Sequence, residues 1–206
     1  ANTTGVRVFG GDNTIRGNVL SGNSFEGLMV SPGAGETGNV IEDNFIGTTA
    51  DGTAALGNGA DGAVVGTDGA VIRDNVISAN ASSGLVLSES GGGAPPDNVV
   101  VQGNHIGTDI TGKIDLGNGS DGITVYGSDN TIGGTAVSER NVISANLNAG
   151  IWIRHTSSLP EGETPSGNVI IGNYIGTDAD GEEAIGNAYG VYIASGQNNR
   201  IGGTAQ

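Results

Sequence analysis

The chain has no cysteine. That excludes disulfides, thiolate metal sites and a thiol nucleophile. Basic residues are scarce, with 7 Lys+Arg against 22 Asp+Glu and a formal net charge of −15. A surface of that sign repels phosphate, so nucleic acid is not expected as a partner. No apolar run approaches the ~18 residues of a membrane-spanning helix, so no membrane insertion is expected. The opening residues lack the positively charged then apolar pattern of a secretory leader. Aromatic residues make up 4% of the chain, with a single Trp.

Glycine is abundant, at 40 of 206 residues, but follows no Gly-x-y period, which excludes collagen. The apolar residues are mostly Val and Ile in short runs, a β signature. The dominant phrase is Asn-x-Ile followed by a second Asn-x-Ile, clearest in Asn168-Val169-Ile170-Ile171-Gly172-Asn173-Tyr174-Ile175. Copies occur at Asn13 with Asn18, Asn39 with Asn44, Asn98 with Asn104, and Asn130 with Asn141, while Val71-Ile72 lacks the first Asn. A second phrase, Gly followed by apolar-x-apolar, starts at Gly5, Gly27, Gly62, Gly84, Gly122, Gly150 and Gly190. Successive glycines lie 22, 35, 22, 38, 28 and 40 residues apart. Short and long units therefore alternate.

Three short strands per unit, separated by bends of Gly, Asn or Asp, predict an all-β parallel solenoid of about seven coils with three short parallel sheets. One coil cannot bury its own apolar side, whereas stacked coils build a continuous core. The interior file of the second strand is expected to run Ile15, Ile41, Ile72, Val100, Ile132, Ile170 and Ile201. Asn18, Asn44, Asn75, Asn104, Asn141 and Asn173 are expected at one bend, where Asn tolerates left-handed backbone and can form a hydrogen-bonded ladder. Three related insertions, Gly47 to Asn58, Gly107 to Asn118 and Gly176 to Asn187, are expected to fold back on the solenoid. Leu56, Leu116 and Ile185 would then cover Phe45, His105 and Tyr174. The fifth coil carries its insertion at Gly133 to Arg140 instead. The seventh starts the same insertion at Gly202. Residues 1–206 read as a single domain. With no polar cap or covering helix at either end, it is expected to be a fragment of a longer solenoid or a module that stacks on itself.

Asn-Val-Ile-Ser-Ala-Asn (141–146), Asn-Thr-Ile-Gly-Gly-Thr (130–135) and Ile-Gly-Thr-Asp (106–109) with Leu-Gly-Asn (116–118) resemble the repeats of right-handed, pectin-lyase-like parallel β-helices of large secreted or surface-attached bacterial proteins. The resemblance covers essentially the whole chain. It implies an extracellular or cell-surface location, and polysaccharide as the commonest ligand class.

Polyuronate lyases need acidic calcium ligands and a basic residue that abstracts a proton; related hydrolases need paired carboxylates on neighbouring coils. The outward strand positions show neither. Glu42 stands alone near a second strand, and Asp61-Gly62 and Asp121-Gly122 read as turns. His105 and His155 fall in different coils. No catalytic residue is assigned. Asp109, Asp178 and Asp180 offer hard oxygen ligands that calcium would accept, but Thr49 replaces the Asp in the first copy, so no metal site is assigned. The best candidate surface is the outward side of the first strand. It brings Trp152, Tyr192, Tyr126 and Arg154 onto one face and carries Arg7 and Phe9 in the first coil. Such a face suits sugar rings or protein association. The sequence therefore predicts a non-catalytic extracellular spacer, adhesin or filament module. A polysaccharide-active enzyme with its site elsewhere, or a glycan-binding module, are the alternatives.

Overall fold

The computed structural model describes residues 1–32, 35–88, 93–157 and 163–203. Its strands fall into three wholly parallel sheets of seven, seven and six strands, each strand pairing with its counterparts one coil away. Sheet 1 starts at Val6–Phe9 and ends at Tyr189–Ile193; sheet 2 runs from Thr14–Arg16 to Arg200–Ile201; sheet 3 runs from Val19–Leu20 to Tyr174–Ile175. This is a parallel β-helix of seven coils, as the repeats predict.

The core is built from single-residue files. Ile15, Ile41 and Ile72 align in register and are buried. The file continues through Val101, Ile132, Ile170 and Ile201. Sheet 3 adds Leu20, Ile46, Ile77, Ile106, Ile143 and Ile175. The expected Val100 is wrong by one position. Val101 is fully buried, whereas Val100 faces outward between Val71 and Thr131. The run Val99-Val100-Val101 fits either register by pattern alone, and the bend decides it. Asn98 takes the left-handed place (φ 58), and buried Val99 takes the ladder place.

Most bends share one device, with Arg140 (φ −70) before Asn141 an exception. A residue with positive φ comes immediately before the ladder position: Asp43 before Asn44, Asp74 before Asn75, Gly103 before Asn104, Ala79 before Asn80. The ladder asparagines themselves are not left-handed, contrary to expectation. The preceding residue turns the chain, which leaves the Asn amide free to point along the helix axis. There are three such columns. The expected one links Asn18, Asn44, Asn75, Asn104, Asn141 and Asn173 without a break. Another links Asn2, Asn23, Asn58, Asn80, Asn118, Asn146 and Asn187. The third is interrupted where Ala70 and Val99 replace Asn, and Asn39 turns its amide to the Thr67 hydroxyl instead.

The second column explains the Gly that opens each sheet 1 strand. A Cβ on Gly62 would lie 2.6 Å from Asn80 Nδ2 and 2.6 Å from the Gly84 carbonyl oxygen; one on Gly122 would lie 2.6 Å from the Gly150 oxygen. The space beside these glycines is filled by the next coil.

The three insertions do fold back, each closed by an antiparallel bridge: Thr48 with Ala55, Thr108 with Asp115, Thr177 with Ala184. Gly52, Gly112 and Gly181 lie over Phe45, His105 and Tyr174, and Leu56 does not take the expected place over Phe45. Leu56 is 48% exposed and lies beside Gly22, because its carbonyl accepts from the Gly22 N–H. The fifth-coil insertion contains a short 3-10 turn, Val137–Glu139. The continuation of the seventh-coil insertion, 204–206, lies outside the described residues.

Candidate functional site

The outward file of sheet 1 is in register as expected, running Arg7, Met29, Val64, Val86, Thr124, Trp152 and Tyr192. Its first half is aliphatic and its second half aromatic. Trp152 and Tyr192 stack with ring centroids 5.6 Å apart and planes 19° apart. Tyr189 extends the stack, 5.5 Å from Tyr192. Tyr189 was not expected on this face. It precedes Gly190 as Asp61 precedes Gly62, and the last two sheet 1 strands begin earlier, at Ala149 and Tyr189.

Arg154 lies two residues along from Trp152 and turns back over it, its guanidinium carbon 4.1 Å from the Trp152 ring centroid and 5.7 Å from that of Tyr126. Among the described residues, no carboxylate forms an ion pair with Arg154. The Trp152 ring thus finds its stacking partners within the chain, and the cluster is preorganised. Arg7 and Phe9 also pair, at 4.7 Å, but in the first coil. That is five strands from Trp152 along sheet 1, about 24 Å at ~4.8 Å per strand. The six predicted residues therefore form two groups, and only Tyr126, Trp152, Arg154 and Tyr192 share a surface.

Beside the aromatic group lies a cavity of about 220 Å³ lined by Asp61, Ser83, Asp121, Thr124, Trp152 and Arg154, among others. Asp61 and Asp121 do more than form turns. Asp61 accepts from the Ser83 N–H at 2.8 Å, and Asp121 accepts from Ala149 N–H (3.1 Å), Asn148 Nδ2 (2.8 Å) and the Thr124 hydroxyl (3.0 Å). Each carboxylate fastens its coil to the next. Asp121 is buried and accepts three hydrogen bonds, whereas Asp61 is half-buried and has more acceptor capacity left. Trp152 Nε1 is buried with no hydrogen-bond partner among the described residues, a donor still to be satisfied.

The other candidates are used locally. Glu42 is not alone; it pairs with Arg73 and, at 3.6 Å, with Arg16. His105 donates from Nδ1 to the Asp109 carbonyl oxygen at 3.1 Å, and His155 is exposed in another coil. The Asp109 carboxylate takes bonds from the Thr111 hydroxyl and from the N–H groups of Lys113 and Ile114. Asp178 takes those of Glu182 and Glu183, and Asp180 pairs with Lys113. Among the described residues, no three His, Asp or Glu side chains converge to hold a metal ion.

Residues 1–205 match the family described as "Right handed beta helix region". No curated protein and no solved structure matches the chain.

Proposed function

The chain belongs to the right-handed β-helix family, and on that premise we propose that it is a non-catalytic, extracellular or cell-surface module, a rigid spacer that holds a neutral glycan against the outer face of sheet 1. The observation that carries this reading is the fixed Tyr192–Trp152–Arg154 stack beside the cavity of Asp61 and Thr124. Ring edges, a guanidinium with no ion pair among the described residues and a half-free carboxylate offer donors and acceptors to sugar hydroxyls around an apolar patch. Charge favours a neutral polymer. Asp61 and Asp121 line the same cavity as Arg154, and the whole chain carries −15, so a polyanion meets net repulsion.

The non-catalytic reading rests on how the carboxylates are employed. Asp121 accepts three donors from its own and the next coil, and Glu42 and Asp43 are tied to arginines. None is left as an unengaged acid–base pair. The extracellular placement rests on the repeat resemblance.

The test is a glycan array followed by titration with the polysaccharides that score, on the parent chain and on Trp152→Ala and Arg154→Met. The proposal expects binding to neutral glycans, at least tenfold weaker in both variants, with no new reducing ends and no rise in ultraviolet absorbance. Turnover of any polysaccharide, or binding indifferent to both substitutions, would refute it.

A further inference from the structure

The folded-back loops form a second feature on another side of the solenoid, around sheet 3. They arise from the second, fourth and sixth coils, yet they touch one another across the third and fifth coils between. Ile110 N–H donates to the Gly52 carbonyl at 3.0 Å, and Ala179 N–H to the Gly112 carbonyl at 3.0 Å. Each contact is a bridge over one coil, and the two bridges cover equivalent ground. Under the second, Arg140 fills the space. Its guanidinium lies 4.0 Å from the Tyr174 ring centroid, and its Nε donates to the Gly172 carbonyl at 3.0 Å.

Under the first bridge the same place is a cavity of about 280 Å³, with Phe45, Val76, His105 and Ile110 among its walls and Asp43 and Asp74 at its edge. Both Asp74 and Arg140 directly precede a ladder Asn, Asn75 and Asn141. Asp74 therefore holds the same sequence place as Arg140, with a shorter side chain and the opposite charge, but on left-handed backbone (φ 57) where Arg140 is extended (φ −70). Gly103 is the counterpart of Gly172, and His105 of Tyr174. The local charges do not balance: Glu42, Asp43 and Asp74 face only Arg16 and Arg73. Arg73 is drawn to Glu42 and reaches Asp74 only at 3.8 Å, while Arg16 holds Asp43 at 2.9 Å. One negative charge is left over, at the mouth of a cavity shaped like the one an arginine fills.

We propose that the cavity under the Gly52–Ile110 bridge binds the guanidinium of an arginine side chain from a partner protein. The Asp74 carboxylate receives its N–H fork. The Phe45 and His105 rings give it the stacking surface that Tyr174 gives Arg140. Nδ1 of His105, bonded to the Asp109 carbonyl, fixes that ring in place.

The experiment is an amide-resolved NMR titration of the folded chain with a short peptide carrying one central arginine, its lysine counterpart, and free arginine amide. Asp74→Asn and Asp74→Arg are titrated alongside. The arginine peptide is expected to shift Gly103, His105 and Ile110 saturably, and to bind more tightly than the lysine peptide or the free amide. Asp74→Asn should weaken it roughly tenfold or more. Asp74→Arg should abolish it, because a cation then replaces the carboxylate at the cavity's edge. If Asp74→Arg does not fold by circular dichroism, Asp74→Asn alone decides between the outcomes. No shift with the parent chain, or shifts unchanged in a folded Asp74 variant, would overturn the proposal. Equal affinity for free amide and peptide would overturn its assignment to a protein partner.

Discussion

Asn75 Oδ1 accepts two hydrogen bonds from Asn44, one from its main-chain N–H at 3.0 Å and one from its Nδ2 at 3.0 Å. Asn75 passes the pattern upward, its own N–H and Nδ2 both reaching Asn104 Oδ1. Its Nδ2 also donates to the Ile41 and Arg73 carbonyls. Removing this amide strands several buried groups at once. Asn75→Ala is expected to cost about 2–4 kcal/mol by denaturant unfolding, because each unsatisfied buried polar group costs about 1–3 kcal/mol and neighbours share the loss. Asn18 Oδ1 accepts no hydrogen bond among the described residues, so Asn18→Ala should cost about 1 kcal/mol or less.

The register of the fourth coil makes a second test. Val101 is fully buried and Val100 is not. Val101→Ala should destabilise by about 1–3 kcal/mol through a lost core contact and a residual cavity, and Val100→Ala by well under about 1 kcal/mol. Equal costs would restore the register that the Asn98-Val99-Val100 pattern suggests.

That register shows where the sequence could be read and where it could not. Strand number, parallel pairing and the Ile15–Ile41–Ile72 file were legible, because a buried file imposes the same residue type at the same interval in every coil. The fourth coil was not, since three consecutive valines satisfy either phase and only the left-handed Asn98 selects one. The aromatic face was legible from register alone: once Thr124, Trp152 and Tyr192 are aligned, Tyr126 and Arg154 follow. Tyr189 was hidden because residues before the phrase-opening Gly read as turns. The Asp61 and Asp121 contacts were hidden for the same reason, their acceptors reaching across coils rather than along the chain. The Asp43–Asp74–His105 cavity was invisible because loops from different coils, far apart in the chain, form its roof.

Glycines that look alike in sequence should respond differently to alanine. Gly122 has no room for a Cβ, whereas Gly17 (φ +68) meets nothing within 4 Å. Gly122→Ala is expected to cost about 2 kcal/mol or more through forced displacement of the next coil. Gly17→Ala should cost only the left-handed strain of about 1 kcal/mol. Thermal unfolding of the two variants compares them directly.

Two aspartates should give pH effects of opposite sign. For Asp109, burial raises the carboxyl pKa, but bonds from the Ile114 N–H, the Thr111 hydroxyl and the Lys113 N–H outweigh it and hold the group below its ordinary 3.8. The unfolded chain then binds the proton more readily, so this stabilisation is complete above the unfolded value and is lost as pH falls through the folded one. Asp109→Asn should destabilise at neutral pH, by a margin that shrinks below about pH 4. For Asp74, burial raises the pKa, Arg73 opposes it, and Asp43 and Glu42 add to it. The folded state holds this proton more readily, so ionisation costs stability as pH rises through the unfolded value and above. Asp74→Asn should therefore be neutral or mildly stabilising at neutral pH. Stability measured across acid pH for both variants checks the two signs.

The central claim is that a glycan settles beside Trp152 without being cleaved. Trp152 is the only tryptophan, so tryptophan emission, excited where tyrosine does not absorb, reports on this surface alone. Titration with a neutral polysaccharide that scores on the array should change the emission saturably, reversibly on dilution, and without reducing ends appearing over hours. Emission unaltered at saturating polysaccharide, or a signal that decays as the polymer is consumed, would contradict the account.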